Sequence, residues 1–175
     1  PKTQELLVLG AQVPYKNAQL AVEVATARGA PLRVFGDGPE VPRLQRMAGP
    51  SVVFEAGGSR ERVRQLYRQA RALLFCGVED FGIVPVEAMA CGCPVVALGQ
   101  GGALETVVGD GDGRTGVFFE EPSAKALTAA LDQLTSLEAH GSIKAEALRD
   151  RAILFSWKRF QEAASEANKS LDKLV

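Results

Sequence analysis

The sequence predicts an α/β domain: a mostly parallel, six-stranded sheet, doubly wound, with helices on both faces. Three observations carry that expectation. Short apolar runs rich in branched and aromatic residues recur along the chain. Stretches with the apolar spacing of a helix lie between them. The glycine and proline punctuation differs between the two kinds of connection, as it does when strands and helices alternate in parallel crossovers.

Taken in order, Leu6–Leu9, Leu32–Phe35, Val52–Phe54, Ala72–Phe75, Val95–Leu98 and Val117–Phe119 read as strands, most of them buried on both faces because they are apolar throughout. Leu20, Ala21, Val24 and Ala25 form one helix face ahead of the second strand, and Val63, Leu66, Tyr67 and Ala70 repeat it ahead of the fourth. Leu127, Ala130, Leu131 and Leu134 do the same after the sixth. Gly29-Ala30-Pro31, Gly49-Pro50 and Gly92-Cys93-Pro94 place glycine where a helix stops and proline just before a strand. The other connections are Gly10 to Lys16, Gly36-Asp37-Gly38-Pro39, Gly57-Gly58-Ser59, Gly77 to Gly82 and Gly99 to Gly102, where glycine is mixed with polar residues. In an open parallel sheet those loops crown the carboxyl ends of the strands, where ligands bind, so a backbone-lined site is expected there. Beyond Ser123 the chain reads as helical through about Arg151. Phe155-Ser156-Trp157 then opens a last helix, with Ser156 as N-cap and Phe160 and Leu171 on its buried face.

Composition narrows the function. A chain of 175 residues is about one domain, so residues 1–175 are read as a single Rossmann-like unit. Twenty Lys and Arg against twenty-one Asp and Glu give a net charge of -1, which provides no basic field for nucleic acid. No run approaches the ~18 apolar residues of a membrane span, and the start lacks a signal-peptide layout; a cytoplasmic location is expected. The 3 cysteines, Cys76, Cys91 and Cys93, are odd in number and sit among apolar neighbours, so they read as reduced, buried packing residues. The 1 histidine, His140, lies in a polar stretch and excludes a His-centred triad. Asp110-Gly111-Asp112 resembles a metal-holding D-x-D but sits in the turn-forming run GDGDGRTG, and no metal is assigned to it.

The richest stretch is Glu79 to Gly92. Pro85 suits the first turn of a helix and Gly92 its end, so a helix is expected from about Val84 to Cys91, with Glu87 in its first turn. The free N–H groups of that turn, around Gly82, Ile83 and Val84, can hold a phosphate without a cation. Glu79 precedes Glu87 with seven residues between, so one ligand can reach both carboxylates. Paired carboxylates also serve glycosidases, but they must there flank one bond. With glycine and proline between them, these two read as a clamp for a polyol and a phosphate.

Glu79 to Glu87 resembles the E-x7-E motif of retaining glycosyltransferases of family 4. The surrounding strings VPYKNAQLAVEVA, FGDGPE, RALLFCGVEDFGIVPVEAMACGCPVVALGQGGALETV, GVFFEEPSAKALTAALDQL and FSWKRF are similar to the C-terminal domain of those enzymes over nearly the whole chain. The resemblance implies one half of a GT-B fold, holding a GDP- or UDP-linked nucleotide-sugar donor without metal. It also implies an acceptor-binding domain ahead of Pro1, and leaves open membrane-peripheral attachment of the full enzyme. Carried onto this chain, Glu87 would accept hydrogen bonds from ribose and Glu79 from the transferred sugar. Lys16, with Gly10 beside it, would neutralise the diphosphate, and the N–H groups near Gly82, Ile83 and Val84 would face it. The loops at Gly36 and from Phe54 to Gly58 would meet the base. Likeness of the GQGGALETV region to mannosyltransferases points to guanine and mannose. Two departures stand out: Gly10-Ala11-Gln12 replaces the family's Gly-Arg-Leu, removing one diphosphate cation, and Cys76 replaces a proline. Ala11 therefore supports an alternative, a non-catalytic nucleotide-binding or redesigned module with impaired diphosphate binding. A dinucleotide-dependent oxidoreductase fits poorly, because no G-x-G-x-x-G follows the first strand.

Overall fold

A computed structural model of the chain describes residues 2–156, 158, 159 and 161. Its strands are β1 (Leu6–Leu9), β2 (Leu32–Phe35), β3 (Val52–Glu55), β4 (Ala72–Phe75), β5 (Val95–Leu98) and β6 (Gly116–Phe119). They form one six-stranded sheet in the order β3-β2-β1-β4-β5-β6, parallel at every pairing. The helices are α1 (Ala18–Arg28), α2 (Val41–Met47), α3 (Arg60–Gln69), α4 (Ile83–Ala90), α5 (Ala103–Thr106), α6 (Ala124–Ala139) and α7 (Ala145–Ile153), with a one-turn 3-10 helix at Pro14–Lys16. The doubly wound Rossmann-like expectation holds, and the sheet is wholly parallel.

The apolar faces read from the sequence build two cores. One places Ala21, Val22 and Val24 of α1, Leu44 of α2 and Leu127 and Leu134 of α6 against Val8, Val34 and Val96. The other places Leu66 and Tyr67 of α3, Met89 of α4 and Leu148 of α7 against Leu7, Leu73 and Val95. Burial on both faces makes β4 and β5 fully apolar, whereas β3, at the sheet edge, is half exposed, so the two-faced burial expected of most strands fails there. Phe54, partly buried, packs against the α1-side core. Ser59 and Ser123 cap α3 and α6 through their hydroxyls. Arg62 in α3 forks onto Glu55 at 2.7 and 2.8 Å, and Arg33 joins Glu55 to Glu5, tying the start of α3 to the edge strands. The Arg62 hydrogen bonds, against the opposing effect of burial and with the charge of Arg33 added, hold the Glu55 carboxyl below its ordinary pKa.

The run after Ser123 breaks at Gly141 into two helices, and His140 lies exposed at the end of α6. Ser156 accepts the Arg159 N–H at 3.5 Å, as an N-cap would, while Phe160 and Leu171 lie outside the described residues. Cys76 and Cys93 are buried, which pushes both thiols up to about 12, but Cys91 is only partly buried at the edge of a cleft. No helix of the described residues is long and apolar enough to cross a membrane.

Candidate functional site

Strand order reverses direction between β1 and β4, and the two strands pair only at Leu6↔Ala72 and Leu7↔Leu73, whereas β1 and β2 pair along all four residues. They part toward their carboxyl ends, opening the crevice that a doubly wound sheet uses for ligands. Lys16, from the loop after β1, and Glu79, from the loop after β4, meet across it with Nζ 3.1 Å from Oε1. Their side chains are 18% and 19% exposed, which makes Lys16 neither a solvated surface lysine nor a residue of the α1 start; it ends the 3-10 turn two residues before that helix.

Close backbone packing places these two side chains. At Gly10, with φ of 126°, a Cβ would stand 3.0 Å from the Lys16 amine, so glycine leaves the room that the lysine occupies. At Gly77 a Cβ would lie 2.6 Å from the Lys16 Cα, which seats the first loop directly on the end of β4. The Gly102 N–H donates to the Glu79 carbonyl at 2.8 Å, stacking the loop after β5 onto the Glu79 loop. The loop after β2 is stitched in by the Gln12 N–H to Asp37 carbonyl bond at 2.8 Å, and the Asp37 carboxylate takes the Gly38 N–H, a turn role. Gln12, 1% exposed, donates through Nε2 to the Gly10 and Phe35 carbonyls at 2.7 and 3.3 Å. Among the described residues its Oε1 has no partner, and it sits by a crevice of about 20 Å³ shared with Lys16 and Glu79, room for about one water.

Helix α4 begins beside this crevice. Its N-cap is Gly82 in the left-handed region (φ 76°, ψ 62°), and among the described residues no side chain caps that end. Since Pro85 has no N–H, the amides of Ile83 and Val84 are left to face a ligand. Glu87 is the fifth residue of α4, one residue further along than expected, because the helix starts at Ile83 and its first turn holds no acid. The helix dipole therefore does not account for Glu87. Its Oε2 instead accepts the Tyr67 hydroxyl at 3.1 Å.

Two open hollows border α4. One, of about 570 Å³, lies between α3 and α4 and is lined by Gly58, Arg60, Arg64, Tyr67, Glu87 and Cys91 among others. The other, of about 430 Å³, runs past Tyr15, Glu79, Phe81, Gly82 and Ile83. Of the residues expected to form a site, Lys16, Gly10, Glu79, Gly82, Ile83, Val84 and Glu87 are gathered at this end of the sheet. Gly36 contributes backbone only: a Cβ there would lie 2.0 Å from the Gly10 carbonyl oxygen. Sequence reading missed Gln12, Tyr67 and the aromatic brace in which Phe155 meets Phe81 edge-on at 5.6 Å beneath the Arg151 guanidinium. A phenylalanine in a polar glycine loop was the one available sign of that brace. Among the described residues no His, Cys, Asp and Glu cluster is arranged to hold a metal.

The topology is that of one Rossmann-like half of a GT-B fold. The family model for glycosyl transferases group 1 matches residues 1–154, and the chain belongs to that family, as the C-terminal domain of a GT-B enzyme. It is 31% identical, over 93% of its length and 37% of the relative's, to a D-inositol 3-phosphate glycosyltransferase of Mycobacterium marinum. It is 37% identical, over 59% of its length and 30% of the relative's, to a GDP-mannose-dependent alpha-(1-6)-phosphatidylinositol monomannoside mannosyltransferase of Mycolicibacterium smegmatis. Among solved structures it overlays Anabaena HepE in complex with UDP at a TM-score of 0.82 and 21% identity, covering 97% of this chain and 49% of that one. The chain thus spans about a third of the curated relatives and half of the solved structure.

Proposed function

We propose that this domain holds the nucleoside-diphosphate-sugar donor of a retaining hexosyltransferase, which passes the sugar to an acceptor hydroxyl bound by a separate domain. The observation that carries this is the meeting of Lys16 and Glu79 at the sheet's switch point, beside an uncapped helix start and one cleft away from Glu87. In this reading the diphosphate lies on the Ile83 and Val84 amides and draws Lys16 from Glu79. The lysine then stabilises charge that grows on the leaving nucleoside diphosphate as the glycosidic bond breaks. Glu79 is freed to accept hydroxyls of the sugar. Glu87 accepts ribose hydroxyls in the α3–α4 cleft, and the lining of that cleft by Gly58, Arg60 and Arg64 supports a base site there. No residue here is assigned as a nucleophile; the domain contributes position and electrostatics. The GDP-mannose-dependent relative supports guanine and mannose.

Ala11 favours a second reading, a nucleotide-holding module with weakened diphosphate binding. Ala11 is exposed beside Gly10, so an arginine can be introduced without displacing the core. If the site is intact apart from that missing cation, Ala11→Arg tightens GDP or UDP by roughly ten- to hundredfold through a forked contact to phosphate oxygens, and leaves guanosine or uridine unchanged. Calorimetric titration of parent and variant with each nucleotide and its nucleoside measures this. Equal affinities for parent and variant with the diphosphate would remove the Gly10 loop from the diphosphate site.

A further inference from the structure

We propose that Tyr67 is a positioning residue for nucleotide binding, acting by holding the Glu87 carboxylate with one oxygen turned to the cleft. The inference rests on the reading of Glu87 as the ribose acceptor.

Tyr67 is 1% exposed and its ring is part of the core built on Leu7, Leu66, Leu73 and Met89. A tyrosine at such a place needs a partner for its hydroxyl, and a phenylalanine would fill the space as well without one. The partner is Glu87 Oε2, at 3.1 Å, on a different helix. Glu87 itself is an exposed residue on the second turn of α4, and among the described residues its Oε1 has no hydrogen-bond partner. A glutamate so exposed samples several rotamers, and binding must then bear the loss of that freedom. A rigid, buried donor fixes the side chain beforehand and leaves Oε1 with open acceptor sites. Burial first, and the charge of Glu87 second, raise the phenol's pKa, so the hydroxyl remains a donor at any working pH. The cleft that both residues line, about 570 Å³, is large enough for a nucleoside.

The test uses Tyr67→Phe, which keeps the ring, with thermal unfolding as the check that the fold is retained. Parent, Tyr67→Phe, Glu87→Gln and the double variant are titrated with GDP and UDP, each alongside its 2′,3′-dideoxy analogue. Tyr67→Phe is expected to weaken the better-bound ribonucleotide about three- to tenfold, the scale of one side chain's lost preorganisation. It is expected to leave the dideoxy analogue unchanged and to add no further loss to Glu87→Gln. A packing role would instead weaken ribo- and dideoxynucleotide equally, and that result overturns the proposal. So does parent-like affinity in Tyr67→Phe while Glu87→Gln is weakened, an outcome that spares the ribose reading. If Glu87→Gln binds as the parent does, or neither nucleotide binds the parent, the ribose reading falls and this inference with it.

Discussion

Glu87→Gln is expected to weaken nucleoside and nucleoside diphosphate alike, by roughly ten- to hundredfold, the effect of losing about 1.5 to 3 kcal/mol of charge-assisted hydrogen bonding. The substitution keeps the side chain's length and shape. A glutamine carbonyl can still accept the Tyr67 hydroxyl that now reaches Glu87 Oε2, so the α3–α4 interface is preserved. What it removes is the carboxylate's second acceptor oxygen and its charge, and an amide NH2 faces the ribose in their place. The loss should appear with guanosine as fully as with GDP, because the proposed phosphate contacts are the Ile83 and Val84 amides and not Glu87. Calorimetry that finds Glu87→Gln equal to the parent with both ligands would remove Glu87 from the site.

Gly36→Ala is expected to carry the largest effect on stability, about 3 kcal/mol or more, since two mechanisms act at one position. Gly36 has a φ of 119°, which L side chains rarely adopt, and its Cβ would stand 2.0 Å from the Gly10 carbonyl oxygen. That atom is backbone at the end of β1 and cannot swing aside as a side chain does. The loops after β1 and β2 must separate, straining the Gly10 N–H to Phe35 carbonyl bond of 3.0 Å. For a chain of this size the thermal midpoint should fall by roughly 6 to 12 °C, and Lys16 should shift with the Gly10 loop, so that diphosphate binding weakens too. Gly29→Ala is the control: its φ is 60° but nothing lies within 4 Å of the added atom, so only the conformational strain remains. Equal midpoints for the two variants would show that the collision at Gly36 is relieved without disturbing the loops.

The strands were legible because their signals are local. Apolar runs and the glycine–proline stops act within a few residues, and the expected helix at about Val84 to Cys91 lies within one residue of the observed Ile83–Ala90. That one residue mattered, since it moved Glu87 out of the first turn. Other parts of the site depend on contacts between distant segments. Phe54 lies ahead of a glycine-rich loop at the edge strand β3, and its packing against the α1-side core is a contact between distant segments that the local pattern does not state. The splaying of β1 from β4 is a matter of register, which no residue pattern states. Lys16 and Glu79 become an ion pair only because Gly77 lets one loop sit on the next. Tyr67 was read as a core residue of α3, correctly for its ring; its hydroxyl finds Glu87 twenty residues away, beyond the reach of helical periodicity.

A crystal structure of the chain grown with GDP tests the central claim most directly. The account predicts ribose hydroxyls at hydrogen-bond distance, about 2.6–3.2 Å, from the Glu87 carboxylate. It predicts the diphosphate on the Ile83 and Val84 amides, and Lys16 moved from Glu79 onto a phosphate oxygen. Density for the nucleotide in the separate hollow bounded by Leu104, Asp110 and Arg151, with the Lys16–Glu79 pair still closed at 3.1 Å, would contradict it.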